Sequence, residues 1–185
     1  MGKRKIPPKA KLVIGLLLRE PGQLEALKTR LSEAFGRVEE VGEPHLFTDT
    51  DYYAKELGPH PLRAFLGFYD LIDRHQIGPI KILTNAIEAE SAIAGPDGVR
   101  LRTFNLDPGC LTLGQFFLAT TKDQKQRVYL GEGIYVEPTL YYQDKAWQAF
   151  PWTYPSYRSG DYFAFLTRAR EHLALRAKEL VSFPI

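Results

Sequence analysis

The chain has 185 residues, with 24 Lys and Arg against 22 Asp and Glu, a formal charge of +2 and 44% hydrophobic residues. That length suits one substantial core, and the near-balanced charge gives no global drive towards nucleic acid, although a local basic patch stays open. The lone Cys110 excludes an internal disulfide and a cysteine-based zinc site, as expected in a reducing cytoplasm, and no apolar run is long enough for a membrane span.

The basic start "MGKRKIPPKAK" is expected to be a flexible tail over 1–10, ahead of a single α+β domain over 11–185. The short apolar stretch behind it reads as a buried strand and not a signal peptide, because no small-residue cleavage site follows. Ile6 stands where a myristoylation motif needs Ser or Thr. "KLVIGLLLR" (11–19) is apolar on both faces, which predicts a central strand. Leu24, Leu27, Leu31 and Phe35 then recur at helical spacing, with Gly36 as C-terminal cap.

"RVEEVGEPHLF" predicts a second strand, "TDTDYYAKELGPHP" a long connection with one helical turn, and "LRAFLGFY" a third strand. A second helix is expected from Pro79 to Ile93, stopped by "GPDG", with Ile80, Leu83 and Ile87 buried. "VRLRTFNLD" is the fourth strand, and Pro108–Gly109 fits the centre of a type II turn. The order strand, helix, strand, strand, helix, strand is that of a ferredoxin-like split unit, an antiparallel sheet with helices on one face. "QFFLATT", "QRVYLG" and "IYVEPTLYY" extend it as an antiparallel meander. A final helix after Ser159 buries Tyr162, Phe165, Leu166, Ala169, Leu173 and Leu180.

In "RVYLGEGIYVEPTL" a three-residue glycine-flanked loop at 131–133 pairs Tyr129 with Tyr135 and Val128 with Val136. Arg127 then faces Glu137 as a cross-strand ion pair. Alternation puts Arg127, Tyr129, Tyr135, Glu137 and Thr139 on one face, and Val128, Leu130, Ile134 and Val136 on a buried one. Val99, Leu101, Thr103, Asn105 and Asp107 share a face of the fourth strand. Lys81, Asn85 and Glu88 line one face of the second helix, with Thr84 beside them. Both asparagines of the chain, Asn85 and Asn105, fall in these polar clusters. Trp152, Tyr154 and Tyr157, followed by Arg158, supply aromatic faces and a cation of the kind a nucleotide or RNA site uses. A solvated face, a turn cap and an aromatic plug for the last helix explain the same residues without a ligand.

"YYAKELG", "IKILTNAIE", "NLDPGCL", "ATTKDQKQRVYLGEGIYVEPTL" and "WTYPSYRS" together resemble a bacterial and archaeal family catalogued as domain of unknown function 4416, over nearly the whole chain. The resemblance implies a cytoplasmic single-domain protein, in a family whose members are sometimes labelled GTP-binding. Cys110, Gln126 and Ser156 depart from the Tyr, His and Asp common there. If those residues are catalytic in relatives, this chain binds without turnover. The residues do not support a P-loop GTPase, since no G-x-x-x-x-G-K-[ST] occurs.

The polar clusters are expected to converge on one pocket that binds a small phosphate-bearing or nucleotide ligand, with its hydrolysis or transfer left open. Lys81, Lys122 and Arg127 would hold phosphate. Glu137 or Glu88 would act as base or metal-facing carboxylate, with Asp107 as a further candidate, and Asn85 and Asn105 would orient the ligand. The alternatives are an RNA-binding or protein-adaptor module and a buried polar network without a ligand. His45, Asp49 and Asp51 are close in sequence, but a polar loop explains them, and no metal set is assigned; the sequence names no cofactor.

Overall fold

The computed structural model describes residues 2–95 and 98–182, with side chains through Lys178. Pro96 and Asp97 of the "GPDG" stop, and the side chain of Leu180, lie outside the described residues. Residues 2–9 are exposed and carry no regular structure. The strands are β1 (Ala10–Leu18), β2 (Val38–Val41), β3 (His45–Leu46), β4 (Leu62–Ile72), β5 (Ile93–Ala94), β6 (Arg100–Leu101), β7 (Phe104–Leu111), β8 (Gln115–Thr120), β9 (Val128–Gly131), β10 (Ile134–Gln143) and β11 (Ala146–Ala149). The helices are α1 (Gln23–Phe35), α2 (Ala54–Leu57), α3 (Ile77–Glu90), α4 (Pro155–Arg158) and α5 (Phe163–Ser182).

The protein is α+β, built on one large antiparallel sheet in the order β11-β10-β8-β7-β1-β4-β2, with β3 beside β4 and β9 beside β10. The central place expected for β1 follows from its burial, since all nine of its residues are buried. Alternation splits its side chains between two layers. Leu12, Ile14 and Leu16 pack with Leu27 and Leu31 of α1 and Ile77, Ile80 and Ile87 of α3. Val13 packs with Phe165, Leu166 and Ala169 of α5 on the opposite face. The last helix therefore covers the side of the sheet that α1 and α3 leave open. Among the described residues no helix is long and apolar enough to cross a membrane.

Several sequence expectations are corrected. The second strand breaks into β2 and β3, both paired to β4, with Gly42 between them packed against Phe65 and Phe165. Helix α3 starts at Ile77, behind an Asp73–Gln76 capping box, and stops at Glu90. Ile93 belongs instead to the two-stranded β5–β6 pair. Leu83 is 43% exposed, because the buried face of α3 is rotated onto Lys81, Thr84 and Glu88. The expected fourth strand splits into β6 and β7, so Val99 and Leu101 do not share a strand with Asn105. The three C-terminal strands are not a simple meander, since β10 pairs directly with β8 and β9 lies on its outer side. Val128 and Leu130 are exposed there, because no layer covers β9.

Pro108 and Gly109 form no turn; they lie within β7, opposite Ile14 and Val13. A proline is tolerated here because β7 pairs with β8 only from Gly109 to Leu111. The Leu106 amide points away from β1, and Pro108, two residues on, has the same orientation. The missing N–H is therefore lost from an edge that has no ladder partner.

Cys110, one residue beyond Gly109, is buried in the α1/α3 layer, and burial pushes its thiol up to about 12. We expect it to resist thiol reagents in the native state and to react at once in denaturant. Rapid stoichiometric labelling of the folded protein would contradict that placement.

Candidate functional site

The early end of the β7–β8 ladder leaves Phe104–Pro108 without a strand neighbour on one edge, and α3 supplies the missing partners. The Leu106 N–H donates to Glu88 Oε1 at 2.7 Å, and Lys81 Nζ donates to the Leu106 carbonyl at 2.7 Å. Glu88 also accepts from Arg102 Nη1 at 2.9 Å, and Arg102 Nε reaches Glu56 of α2 at 3.0 Å. Burial pushes Glu88 up, against the opposing pull of Lys81, the Leu106 amide and Arg102. Lys81 and Glu88 thus act as side-chain substitutes for a β-ladder.

Where the strands separate, a cavity of about 560 Å³ opens between β7, β8, α3, α4 and the 47–53 segment. Its buried wall follows from the register of the sheet. Leu17 of β1 pairs with Arg63 on one side and Asn105 on the other, which puts those two side chains on the same face, roughly 10 Å apart across two strand spacings. In the next row of that face, Gly15 stands between Phe65 and Asp107. A Cβ at Gly15 would lie 3.1 Å from the Phe65 ring and 3.5 Å from the Tyr157 hydroxyl. The glycine gives Tyr157 room to reach down to the sheet.

The Arg63 guanidinium lies 4.6 Å from the Phe47 ring centre and 5.3 Å from that of Tyr157. Burial opposes its charge, but the neighbouring Tyr157 and Asp107 outweigh that effect, and the group stays protonated. Arg63 Nε, Asn105 Nδ2 and the Tyr157 hydroxyl are all buried without a hydrogen-bond partner among the described residues, and all three residues line the cavity. Burial also holds the Tyr157 phenol well above its usual range, so it remains a neutral donor.

The hairpin register expected at Tyr129–Tyr135 and Val128–Val136 is the one found. Ile134 pairs with Gly131 instead of Leu130, and Glu132 and Gly133 both take positive φ (51° and 75°), as in a two-residue turn. Arg127 Nε donates to Glu137 Oε2 at 3.0 Å, and both side chains are buried. Arg127 also donates to the Lys122 carbonyl at 2.7 Å, and Gln126 Nε2 donates to Glu137 at 2.9 Å. The rim is exposed and aromatic, with Tyr52 under the Lys122 ammonium at 4.0 Å and Tyr154 beside Arg127.

Of the residues singled out from sequence, Lys81, Asn85, Asn105, Asp107, Lys122, Arg127, Glu137, Tyr154 and Tyr157 line this cavity, and so do Asp49 and Ser156. Glu88 and Thr84 do not. Glu88 holds the Leu106 edge, and Thr84 donates to the Lys81 carbonyl within α3. Tyr129 packs against Tyr135 with tilted rings outside the cavity, and Thr139 lies buried with its carbonyl accepting from Thr153. Trp152 stacks on Phe150 and donates to the Pro138 carbonyl. Arg158 clamps the carbonyls of Phe150, Pro151 and Thr153. Sequence reasoning missed Arg63, Arg102, Phe47, Tyr52 and Tyr53. A charged residue inside the apolar run of β4 is the signal that could have found Arg63, since an arginine is seldom buried without a partner.

No group of His, Cys, Asp and Glu suited to a metal ion occurs among the described residues. No curated protein and no solved structure matches the chain. Residues 8–173 match the family described as Domain of unknown function (DUF4416). With most of its length matched in this way, the chain belongs to the DUF4416 family.

Proposed function

We propose that the cavity binds a small acceptor-rich ligand of the phosphate-bearing or nucleotide class. The observation that carries this is the set of three buried donors without partners on one wall. An unmade hydrogen bond on a buried group costs about 1–3 kcal/mol, and a ligand oxygen supplies the missing acceptor. The aromatic rim at Tyr52 and Tyr154 suits a base or sugar. Of the phosphate anchors expected from sequence, Arg127 and Lys81 already hold Glu137 and the Leu106 edge and Lys122 sits on the rim, which leaves Arg63 as the buried lining cation without an ion-pair partner among the described residues.

Any hydrolysis or transfer at this site would draw its base from Asp107. Its side chain is partly exposed to the cavity and lies 3.8 Å from Lys81, whereas Glu137 is held by Arg127 and Gln126. Trp152 is engaged by Phe150 and the Pro138 carbonyl of β10, and Arg158 by the carbonyls of its own loop, which takes two contacts from the RNA or adaptor alternative. The half-sheet β7-β1-β4-β2 with α1 and α3 supports the ferredoxin-like relation, and a single cysteine suits the cytoplasm.

Tyr157→Phe separates this proposal from a purely structural cluster. Removing an unpartnered hydroxyl should leave the melting temperature unchanged or slightly raised. It should weaken ligand binding by about five- to tenfold, the effect of one lost hydrogen bond. Native mass spectrometry for a co-purifying ligand, and calorimetric titration with inorganic phosphate and AMP, are the measurements. A variant less stable than wild type, with no ligand bound by either, would sink the proposal.

A further inference from the structure

The charge pattern of the cavity restricts the class of ligand. Its lining cations are Arg63, Lys81, Arg102, Lys122 and Arg127. Arg102 is paired with Glu56 and Glu88, Arg127 with Glu137, and Lys81 with Asp107. Arg63 and the rim residue Lys122 are left, against the remaining lining carboxylate, Asp49. The buried cation without an ion-pair partner on this wall is therefore Arg63, which is 5% exposed.

The setting of that guanidinium is also specific. Phe47 and Tyr157 lie within cation–π distance of it, and Nε has no partner. An arginine edge presents parallel N–H groups that match two oxygens of one planar or tetrahedral oxyanion. Asn105 Nδ2 and the Tyr157 hydroxyl are further donors on the same wall. A single phosphate carries about −1.5 to −2 at neutral pH, which Arg63 and Lys122 together can match. A triphosphate brings several more negative charges, and beyond Arg63 and Lys122 no unpaired cation or metal-ligand cluster stands among the described lining residues to meet them.

We propose that Arg63, with Asn105 and Tyr157, forms a subsite for one compact oxyanion, the end group of a phosphate monoester or a carboxylate, and that the cavity discriminates against di- and triphosphates. This rests on the cavity being a ligand site, as argued above. The organic part of the ligand extends past Asp107 to the Tyr52 and Tyr154 rim.

The test is calorimetric titration of the full chain in EDTA with inorganic phosphate, AMP and ATP, and with phenyl phosphate against benzoate. Arg63→Met, Arg63→Lys and Tyr157→Phe are compared with wild type. AMP should bind more tightly than ATP. Arg63→Met should lose binding by at least about thirtyfold, and Arg63→Lys by about tenfold because it keeps the charge without the fork. Phenyl phosphate against benzoate identifies which oxyanion is the source. Retention of fold is expected for Arg63→Met, since Nε has no hydrogen-bond partner to lose and methionine keeps the apolar stem, and near-ultraviolet circular dichroism checks it.

If ATP binds more tightly than AMP, or a folded Arg63→Met variant keeps its affinity while Tyr157→Phe loses it, the subsite is overturned and the cavity remains a ligand site. If no probe binds the wild type at millimolar concentration, both the subsite and the proposed function fall.

Discussion

Replacing Glu88 with Ala should lower the unfolding free energy by about 3–5 kcal/mol, the cost of removing one partner from a buried ion pair. The carboxylate is 5% exposed, and it receives the Leu106 N–H and Arg102 together. Its loss leaves the Leu106 amide without an acceptor at an edge that no strand covers. It also leaves Arg102, already partly shielded from solvent, with Glu56 as its remaining carboxylate and the Asn105 side-chain oxygen as its other acceptor. Glu90, two residues further along α3, makes an exposed pair with Arg30. Glu90→Ala should therefore cost less than about 1 kcal/mol. Urea unfolding of both variants checks the contrast, and equal effects would show that the Leu106 edge is held by something other than Glu88.

Gly109→Ala is the second large effect, at about 3 kcal/mol. A Cβ there would lie 2.4 Å from the Phe117 carbonyl oxygen and 2.7 Å from the Phe116 ring. The first contact is backbone, so β8 itself must move. The β7–β8 ladder has only the pairs Gly109–Leu118, Cys110–Phe117 and Leu111–Phe116 to hold it. The requirement is for space and not for a positive φ. Gly114→Ala, with nothing within 4 Å of the added carbon, is the control and should be close to neutral. Because that ladder sets where the strands separate, Gly109→Ala should also weaken any ligand bound in the cavity. A destabilised variant with unaltered binding would uncouple the two.

Parts of the site were legible in the sequence because local rules specify them. Turn chemistry and alternation specify the Arg127–Glu137 pair, since a glycine-containing hairpin leaves little freedom of register. The i, i+4, i+7 spacing of Lys81, Asn85 and Glu88 puts them on one side of α3. Their roles were not legible. Lys81 and Glu88 look like an exposed ion pair along the helix, yet they are buried as partners of Leu106. That difference arises because β8 leaves β7 after three pairs, a decision made by packing around Gly109 and not by α3. Pro108 misled for the same reason, since Asp-Pro-Gly is turn chemistry wherever the neighbouring edge is unknown.

What the sequence by itself determined is the α+β class, the central burial of β1, the amphipathic helices and the hairpin, all of which rest on periodicity within a dozen residues. Only the tertiary structure decided that Arg63, Asn105 and Tyr157 share a wall. Arg63 and Asn105 are 42 positions apart in the chain, and they meet because each pairs with Leu17 from opposite sides. Tyr157 joins them because Gly15 leaves space one row away and α4 sets its side chain on that face. Strand order and register join residues remote in sequence through backbone hydrogen bonds, which every residue but proline can make, so no local signal announces the meeting.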